Sequence, residues 1–249
     1  MFKFISKIVG KVKGVKRGKI SAIILCAGGS TRFSEGRESK QFATVRGIPV
    51  ILRTILTFEK TESISEIILV ARKEDIEDLK SLVCVNGIKK VSCIVVGGST
   101  RQESAQKGFK HVSEKSTFVA IHDGARCMVT PEIIETVISE AERYMAATAA
   151  SRVTDTVKIS DDNGFIKKTI KRDNVWNVQT PQVFEKKLYT TAIYNAKQKG
   201  IEATDDCMLV ENIDFKIKLV ETGKENIKIT VKDDILLAEN ILTARGDEL

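Results

Sequence analysis

The stretch Ala22-Ile-Ile-Leu-Cys-Ala-Gly-Gly-Ser-Thr-Arg-Phe33, followed by Lys40-Gln41, constrains the fold more than any other part of this 249-residue chain. Ile23, Ile24 and Leu25 are apolar in succession. A strand of that kind needs cover on both faces, as the central strand of a parallel sheet has. The chain then passes through Gly28 and Gly29, where a missing side chain lets backbone approach a ligand and permits positive φ. Backbone N–H groups in such a turn, or at the helix start beyond it, form an anion site. Arg32 and Lys40 add the positive charge that phosphoryl oxygens require. The loop spells neither a Walker A motif nor Gly-x-Gly-x-x-Gly. Paired glycines after a strand also serve plain turns.

Strand-like and helix-like runs alternate from here. Strands are predicted at Ile20–Ala27, Ile67–Ala71, Val91–Val96, Phe118–His122 and Ala146–Arg152. Helices are predicted at Pro49–Lys60, Asp75–Leu82, Arg101–Val112 and Pro131–Met145, the last capped by Thr130 with proline in its first turn. This rhythm implies an α/β fold, an open, mostly parallel sheet with helices on both faces. It breaks near residue 153. Val153–Ile159 and Phe165–Ile170, joined through Asn163-Gly164, read as an inserted β-hairpin arm. The helix-and-strand pattern resumes with a helix at Leu188–Gln198, strands at Phe215–Val220 and Ile227–Thr230, and a helix at Asp233–Leu242. No linker rich in Pro, Gly or Ser divides the chain, so residues 20–249 read as one domain whose arm covers about 153–177.

The net charge of +7 suggests nucleic acid until it is located. Residues 1–19 hold seven basic side chains and no acid, so the other 230 residues, 33 basic and 33 acidic, sum to zero. The body is not a basic nucleic-acid binder. The tail interleaves Phe4, Ile5, Ile8, Val9, Val12 and Val15 with its lysines, a pattern that membrane-surface helices share. Gly10 and Gly14 weaken such a helix, and the tail reads as an extension in preference to a membrane anchor. Cys26, Cys84, Cys93, Cys127 and Cys207 are scattered, with no CxxC pair. That spacing argues against a disulfide framework or a zinc site and for a reducing cytoplasm.

In open parallel sheets, ligands bind beyond the carboxyl ends of the strands. Three predicted strands end in chemistry-bearing residues. The first carries Gly28, Gly29, Arg32 and Lys40; the third carries Gly97-Gly98-Ser99-Thr100-Arg101-Gln102-Glu103-Ser104; the fourth carries His122-Asp123-Gly124-Ala125-Arg126. Paired glycines and hydroxyls at a helix start suit a base, ribose or phosphate. An acid at a strand end suits Mg²⁺ held against phosphates. Taken singly, Arg101 and Arg126 also suit surface ion pairs, and His122 suits either a base oriented by Asp123 or a structural role. Asp205-Asp206 suits metal ligation, but an acidic pair is more often a helix start, here capped by Thr204. No Gly-x-Ser-x-Gly elbow is present, which disfavours serine hydrolysis.

At these residues the chain resembles the 2-C-methyl-D-erythritol 4-phosphate cytidylyltransferase family. The resemblance is carried by Leu25-Cys-Ala-Gly-Gly-Ser-Thr-Arg32 with Lys40-Gln41, Val96-Gly-Gly-Ser-Thr-Arg101 with Ser104, and His122-Asp-Gly-Ala-Arg126. It continues through Thr154-Asp-Thr-Val-Lys158, Arg172, Trp176-Asn-Val-Gln-Thr-Pro-Gln-Val-Phe184, Thr204-Asp205 and Asn226-Ile-Lys-Ile-Thr230. It implies a Rossmann-like nucleotidyltransferase sheet, Mg²⁺ as cofactor, CTP and a polyol phosphate as substrates, and a homodimer formed through the arm. It further implies that Arg32 and Lys40 stabilise charge at the α-phosphate and pyrophosphate. Ala27, Gly28, Gly29, Gly98, Arg101 and Ser104 would hold CTP, and Asp123 the metal. Arg126, Thr156, Arg172 and Lys228 would hold the sugar phosphate, Arg126 reaching toward the partner's site. Cys127 stands where the family usually has proline. Ribitol 5-phosphate cytidylyltransferase is the nearest alternative, and a non-catalytic, membrane-recruited binding protein is an alternative of another class. The Gly124-Ala125 spelling and the Trp176 stretch favour the methylerythritol enzyme, and intact Arg32, Lys40 and Asp123 argue against a dead one.

Overall fold

The computed structural model describes residues 18–28, 33 and 39–246. Eleven strands are present among them: β1 (Lys19–Leu25), β2 (Thr44–Val45), β3 (Ile48–Pro49), β4 (Ile64–Ala71), β5 (Val91–Val96), β6 (Ser116–Asp123), β7 (Ala146–Arg152), β8 (Lys158–Ser160), β9 (Ile166–Thr169), β10 (Trp176–Glu185) and β11 (Lys218–Glu221). The helices are α1 (Val50–Lys60), α2 (Ile76–Val85), α3 (Arg101–Phe109), α4 (Pro131–Tyr144), α5 (Lys186–Lys199), α6 (Asp206–Glu211) and α7 (Asp233–Arg245). Seven strands form the main sheet in the order β11-β7-β10-β6-β1-β4-β5. All pairings within it are parallel except the two made by β10, which runs against β6 and β7.

The apolar run of β1 is central and covered on both faces. Ile20, Ala22 and Ile24 point into a core shared with α1, α2 and α4, whereas Ile23 and Leu25 point into one shared with α3, α5 and α6. This alternation at period two is what a strand imposes. Register then aligns the strand ends, because Leu25 pairs with Val70 of β4 and with Asp123 of β6. The loops after β1 and β6 therefore leave the same edge of the sheet side by side.

Local chemistry sets several boundaries. Thr130 caps α4 by accepting from the Ile133 N–H, and Thr100 caps α3 by accepting from the Glu103 N–H. The cap of α6 is Asp205, which accepts from the Met208 N–H, and not the expected Thr204. Ile227–Thr230 is not a strand. It is a crossing segment tied to the β6 loop through Ile229 N–H to Ala125 C=O, and it carries Lys228 across the strand ends. The strand expected from Phe215 begins at Lys218, and the arm's first strand is confined to Lys158–Ser160. β10 has no counterpart in the sequence reading, because Gln179-Thr180-Pro181-Gln182 looks like loop chemistry. The register of β10 against β7 shifts between Val178 and Gln182, which accommodates those residues as a bulge.

Gly108 lets α3 lie against the sheet. A Cβ there would sit 2.7 Å from methyls of both Ile23 and Val70, β-branched residues that cannot swing away. Gly→Ala in an unhindered helix gains roughly 0.5–1 kcal/mol, but overpacking of this kind costs about 1–3 kcal/mol. Gly108→Ala should therefore lower stability, read as a lower urea midpoint at unchanged slope. A raised midpoint would show that α3 is not pressed on the strands.

Candidate active site

The loop after β5 is shaped by its own side chains. The Ser104 hydroxyl accepts from Gly98 N–H at 3.0 Å and donates to Thr100 C=O at 2.9 Å. Ser99 donates its N–H and hydroxyl to the Glu103 carboxylate, both at 2.8 Å, and these bonds pull that carboxyl down to about 2. Gly98 has no room for a side chain, since a Cβ would lie 2.4 Å from Glu103. Gly97 is equally restricted, because a Cβ would lie 2.4 Å from the Ala27 methyl. The β1 and β5 loops thus touch through their smallest residues. Gly28 differs, having no atom of a described residue within 4 Å of a Cβ position. Gly28 faces the adjoining cavity.

That cavity, about 300 Å³, lies between the ends of β1, β5 and β6. Ala27, Gly28, Lys40, Gly98, Arg101, Ser104, Asp123 and Lys228 all line it, so eight residues singled out in the sequence meet here. Lys40 is largely buried. Arg32 and Gly29 lie outside the described residues. Thr156 and Arg172 are on the arm and exposed, with the Arg172 guanidinium donating to Thr154 C=O; they do not join the cluster within one chain. Arg126 lines a second cavity of about 320 Å³, with Thr154, Asn177 and Lys224, and stands between the two.

Among the described residues lining the first cavity, Asp123 is the only acid. Its Oδ1 accepts from Arg101 Nε at 3.1 Å, its Oδ2 from Lys228 Nζ at 2.7 Å, and Arg126 Nε lies 3.9 Å away. Burial alone would raise its pKa, but Arg101 and Lys228 outweigh that and hold the carboxyl well below the usual range. Arg101 and Arg126 are therefore not surface ion-pair residues. Arg101 is shared with a second buried acid, since its Nη1 donates to Asp206 Oδ2 at 2.7 Å. Arg126 donates from Nη1 to Asn226 C=O at 2.9 Å. Gln41 Oε1 and Arg101 Nη2, both on residues lining the cavity, are buried without a hydrogen-bond partner.

His122 is structural. It is fully buried, and burial lowers its pKa to about 3. Its Nε2 lies 3.3 Å from Arg126 C=O, which can only accept, so the single proton of the neutral ring is on Nε2. Nδ1 then accepts from the Thr180 hydroxyl at 3.1 Å, and Thr180 Oγ1 accepts from Asp123 N–H at 3.0 Å. This chain of bonds holds both ends of the Asp123–Arg126 loop. The same bulge of β10 anchors the crossing segment, as Asn226 donates to Gln179 Oε1 at 3.0 Å and to Thr180 C=O at 2.8 Å. Sequence reasoning did not assign Thr180, Gln182, Tyr189, Asp206 or Asn226 to the site. Only Thr180 and Gln182 lie in a strand, β10, and the others sit in α5, α6 and the crossing segment.

Cys127, in place of the family's usual proline, is buried beside Val45, Met128 and Ile229, and burial pushes its thiol up to about 12. It packs as a small apolar residue, and Arg126 keeps its backbone bond to Asp123 C=O. Cys26, likewise buried, is pushed to about 12.

The histidine carries a pH signature. With a folded pKa of about 3 against 6.5, the unfolded chain binds the extra proton between those values, so His122 lowers stability as pH falls through that window. His122→Gln should cost stability at pH 7.5, and its deficit against wild type should shrink by pH 4.5 in urea titrations. A deficit that is the same at both pH values would show that His122 is not held neutral.

Comparison with known proteins agrees with this geometry. The family model for 2-C-methyl-D-erythritol 4-phosphate cytidylyltransferase (IspD) matches residues 20–244. The enzyme of that name from Alkaliphilus oremlandii is 43% identical over 231 residues, 92% of this chain and 97% of the relative. That from Caldanaerobacter subterraneus subsp. tengcongensis is 42% identical over 224 residues, 90% of this chain and 98% of the relative. Among solved structures, 4-diphosphocytidyl-2C-methyl-D-erythritol synthase from Anaerococcus prevotii is similar with a TM-score of 0.81 at 33% identity, over 91% of this chain and 97% of that one. The cytidylyltransferase from Thermus thermophilus gives 0.72 at 27% identity, over 90% and 99%. The matched stretch contains the whole strand-end cluster around Asp123, from the β1 loop to Lys228, and this chain belongs to the 2-C-methyl-D-erythritol 4-phosphate cytidylyltransferase family.

Proposed function

We propose that this enzyme transfers the cytidylyl group of CTP to 2-C-methyl-D-erythritol 4-phosphate at the cavity beyond β1, β5 and β6, releasing pyrophosphate. The observation that carries the reading is the convergence of Lys40, Arg101, Lys228 and one buried acid, Asp123, on a cavity walled partly by glycine backbone. A phosphate oxygen of the sugar phosphate attacks the α-phosphorus of CTP, and the bond to pyrophosphate breaks in line. The chemistry asks the protein for positioning and charge stabilisation, with little covalent help.

The residues divide accordingly. Lys40, with Arg32 earlier in the same loop sequence, meets charge developing on the α-phosphoryl oxygens and the leaving pyrophosphate. The space open at Gly28 admits phosphate close to backbone. Ala27, Gly98 and Arg101 enclose the base and ribose, and Ser104 acts by holding the loop, because both its bonds go to loop backbone. The donor set suits Mg²⁺: among the described residues a single carboxylate, Asp123, lines the cavity, and one or two carboxylates plus substrate phosphates are what Mg²⁺ ordinarily takes. When bound, Mg²⁺ would offset phosphate charge. Lys228 and Arg126, already beside Asp123, bind the sugar phosphate.

Thr156 and Arg172 complete that pocket from a partner's arm. Ile159, Phe165 and Ile166 are 46%, 72% and 66% exposed on the arm, and apolar exposure of this kind marks a contact surface. Residues 20–249 then act as one domain with a dimerisation arm. The five cysteines are free thiols, as a reducing cytoplasm allows.

Phosphorus NMR of CTP and Mg²⁺ with methylerythritol phosphate or ribitol 5-phosphate tests the reaction. Pyrophosphate should form with the first alone; formation with ribitol 5-phosphate alone would overturn the substrate, and formation with neither the reaction. Lys40→Ala should lower kcat by about a hundredfold or more, the scale of one lost transition-state donor, and wild-type turnover would contradict its role. Arg172→Ala and Lys40→Ala protomers should each be impaired alone and recover activity in mixed dimers, where one site is intact. No recovery in verified heterodimers would place Arg172 in its own chain's site.

A further inference from the structure

We propose that Asp206 is a positioning residue for the transfer: it holds Arg101 away from full pairing with Asp123 and so keeps the Asp123 carboxylate available to a divalent cation. This rests on the reaction assigned above.

Asp206 is almost wholly buried, at 1% exposure, and it does not line the cavity. Its Oδ2 accepts from Arg101 Nη1 at 2.7 Å, a shorter contact than the 3.1 Å from Arg101 Nε to Asp123. Its Oδ1 accepts from the Tyr189 hydroxyl, and its backbone N–H donates to Gln182 Oε1 at 3.0 Å. Tyr189 is itself fixed, stacked on Phe184 with ring centroids 5.3 Å apart and edge-on to Phe109 at 5.0 Å. Gln182 also donates to Asp205 Oδ2 at 2.8 Å. The carboxylate is therefore rigidly placed. The neighbouring Gln102 side chain reinforces the grip, donating to Ile201 C=O at 3.1 Å and accepting from Ala203 N–H at 2.8 Å.

The consequence is electrostatic. Arg101, Lys228 and Arg126 are three cations facing one acid, Asp123. A guanidinium beside a lone carboxylate pairs with it through two parallel bonds. Here Asp206 takes Nη1 and fixes the guanidinium so that Nη2, the neighbour of Nε that would complete the fork, has no hydrogen-bond partner, and Asp123 receives a single bond from Arg101. Asp206 also removes one unit from the cluster's surplus positive charge. Neutralising it would shift Arg101 onto Asp123, weaken cation binding and strengthen attraction for a metal-free triphosphate. A residue that merely tied α6 to α3 would change neither in opposite senses.

Asp206→Asn keeps an acceptor for Arg101 and removes the charge. The test measures Mn²⁺ binding by electron paramagnetic resonance with CTP present, CTP binding without metal by calorimetry, and the Mg²⁺ concentration for half-maximal turnover. Mn²⁺ binding and Mg²⁺ half-activation should both weaken by about tenfold, as lost charge at short range implies, while metal-free CTP binds as well or better. Tyr189→Phe, which leaves the charge, should keep the wild-type Mg²⁺ dependence. Should the single variant not fold, Arg101→Gln/Asp206→Asn removes both charges together and, at CTP concentrations shown to saturate it, should bind Mn²⁺ within threefold of wild type despite a lower kcat. Wild-type metal dependence in Asp206→Asn, parallel loss of CTP affinity with and without metal, or a double variant whose Mn²⁺ binding is weakened tenfold would each overturn the proposal. Wild type that binds Mn²⁺–CTP but does not turn over would instead refute the assigned reaction and leave the binding comparison valid.

Discussion

The buried carboxylate of Asp123, bonded to Arg101 and Lys228 with Arg126 beside it, is the interaction around which the site is built. A single charge removed from water costs several kcal/mol, and it persists only when its partners are fixed. Each of these cations comes from a different part of the chain: the start of α3, the crossing segment after β11, and the loop after β6 itself. Folding must bring all of them to one strand end, and the charge of the acid is what makes their convergence tolerable. The same arrangement leaves positive charge in excess at the cavity wall, which suits polyanionic substrates.

The sheet supplies the frame for that convergence. Parallel strands β1, β4, β5 and β6 end at one edge, so their loops share one space. The reversed strand β10 performs a different task. It lies next to β6 and carries Thr180 and Gln182 buried in its middle. Thr180 bonds Asp123 and His122, and Gln182 bonds the start of α6. Polar side chains inside a core cost free energy unless satisfied, and these are satisfied by the loop that bears Asp123 and by the start of α6. Positioning is thus paid for in the core and used at the rim.

Much of this was legible in the sequence, and the reasons are physical. The continuous apolar run Ile23–Leu25 announced a two-faced central strand, and the structure divides those residues between two cores. Thr130 and Pro131 announced the start of α4, and Val91–Val96 appears with its expected bounds. The glycine and acid loops pointed to the site because three of them fall in register at strand ends, where one alone would serve as a plain turn. What stayed hidden depends on pairing at long range. β10 was missed because a proline and three polar residues interrupt its apolar pattern, and only tertiary partners make that stretch a strand. Asp206 looked like a helix start, which it is, but its carboxylate serves Arg101, 105 positions away in sequence. Ile227–Thr230 has strand-like alternation and lacks a neighbouring strand to pair with, so it crosses the sheet edge as an extended segment.

The central claim is that Asp123 acts as the charged hub of cytidylyl transfer. The most direct measurement is the turnover of Asp123→Asn with saturating CTP, methylerythritol phosphate and Mg²⁺, on protein shown to be folded. Because the amide keeps the shape and loses the charge, the account predicts a fall in kcat of about a hundredfold or more. Turnover within a fewfold of wild type would contradict it.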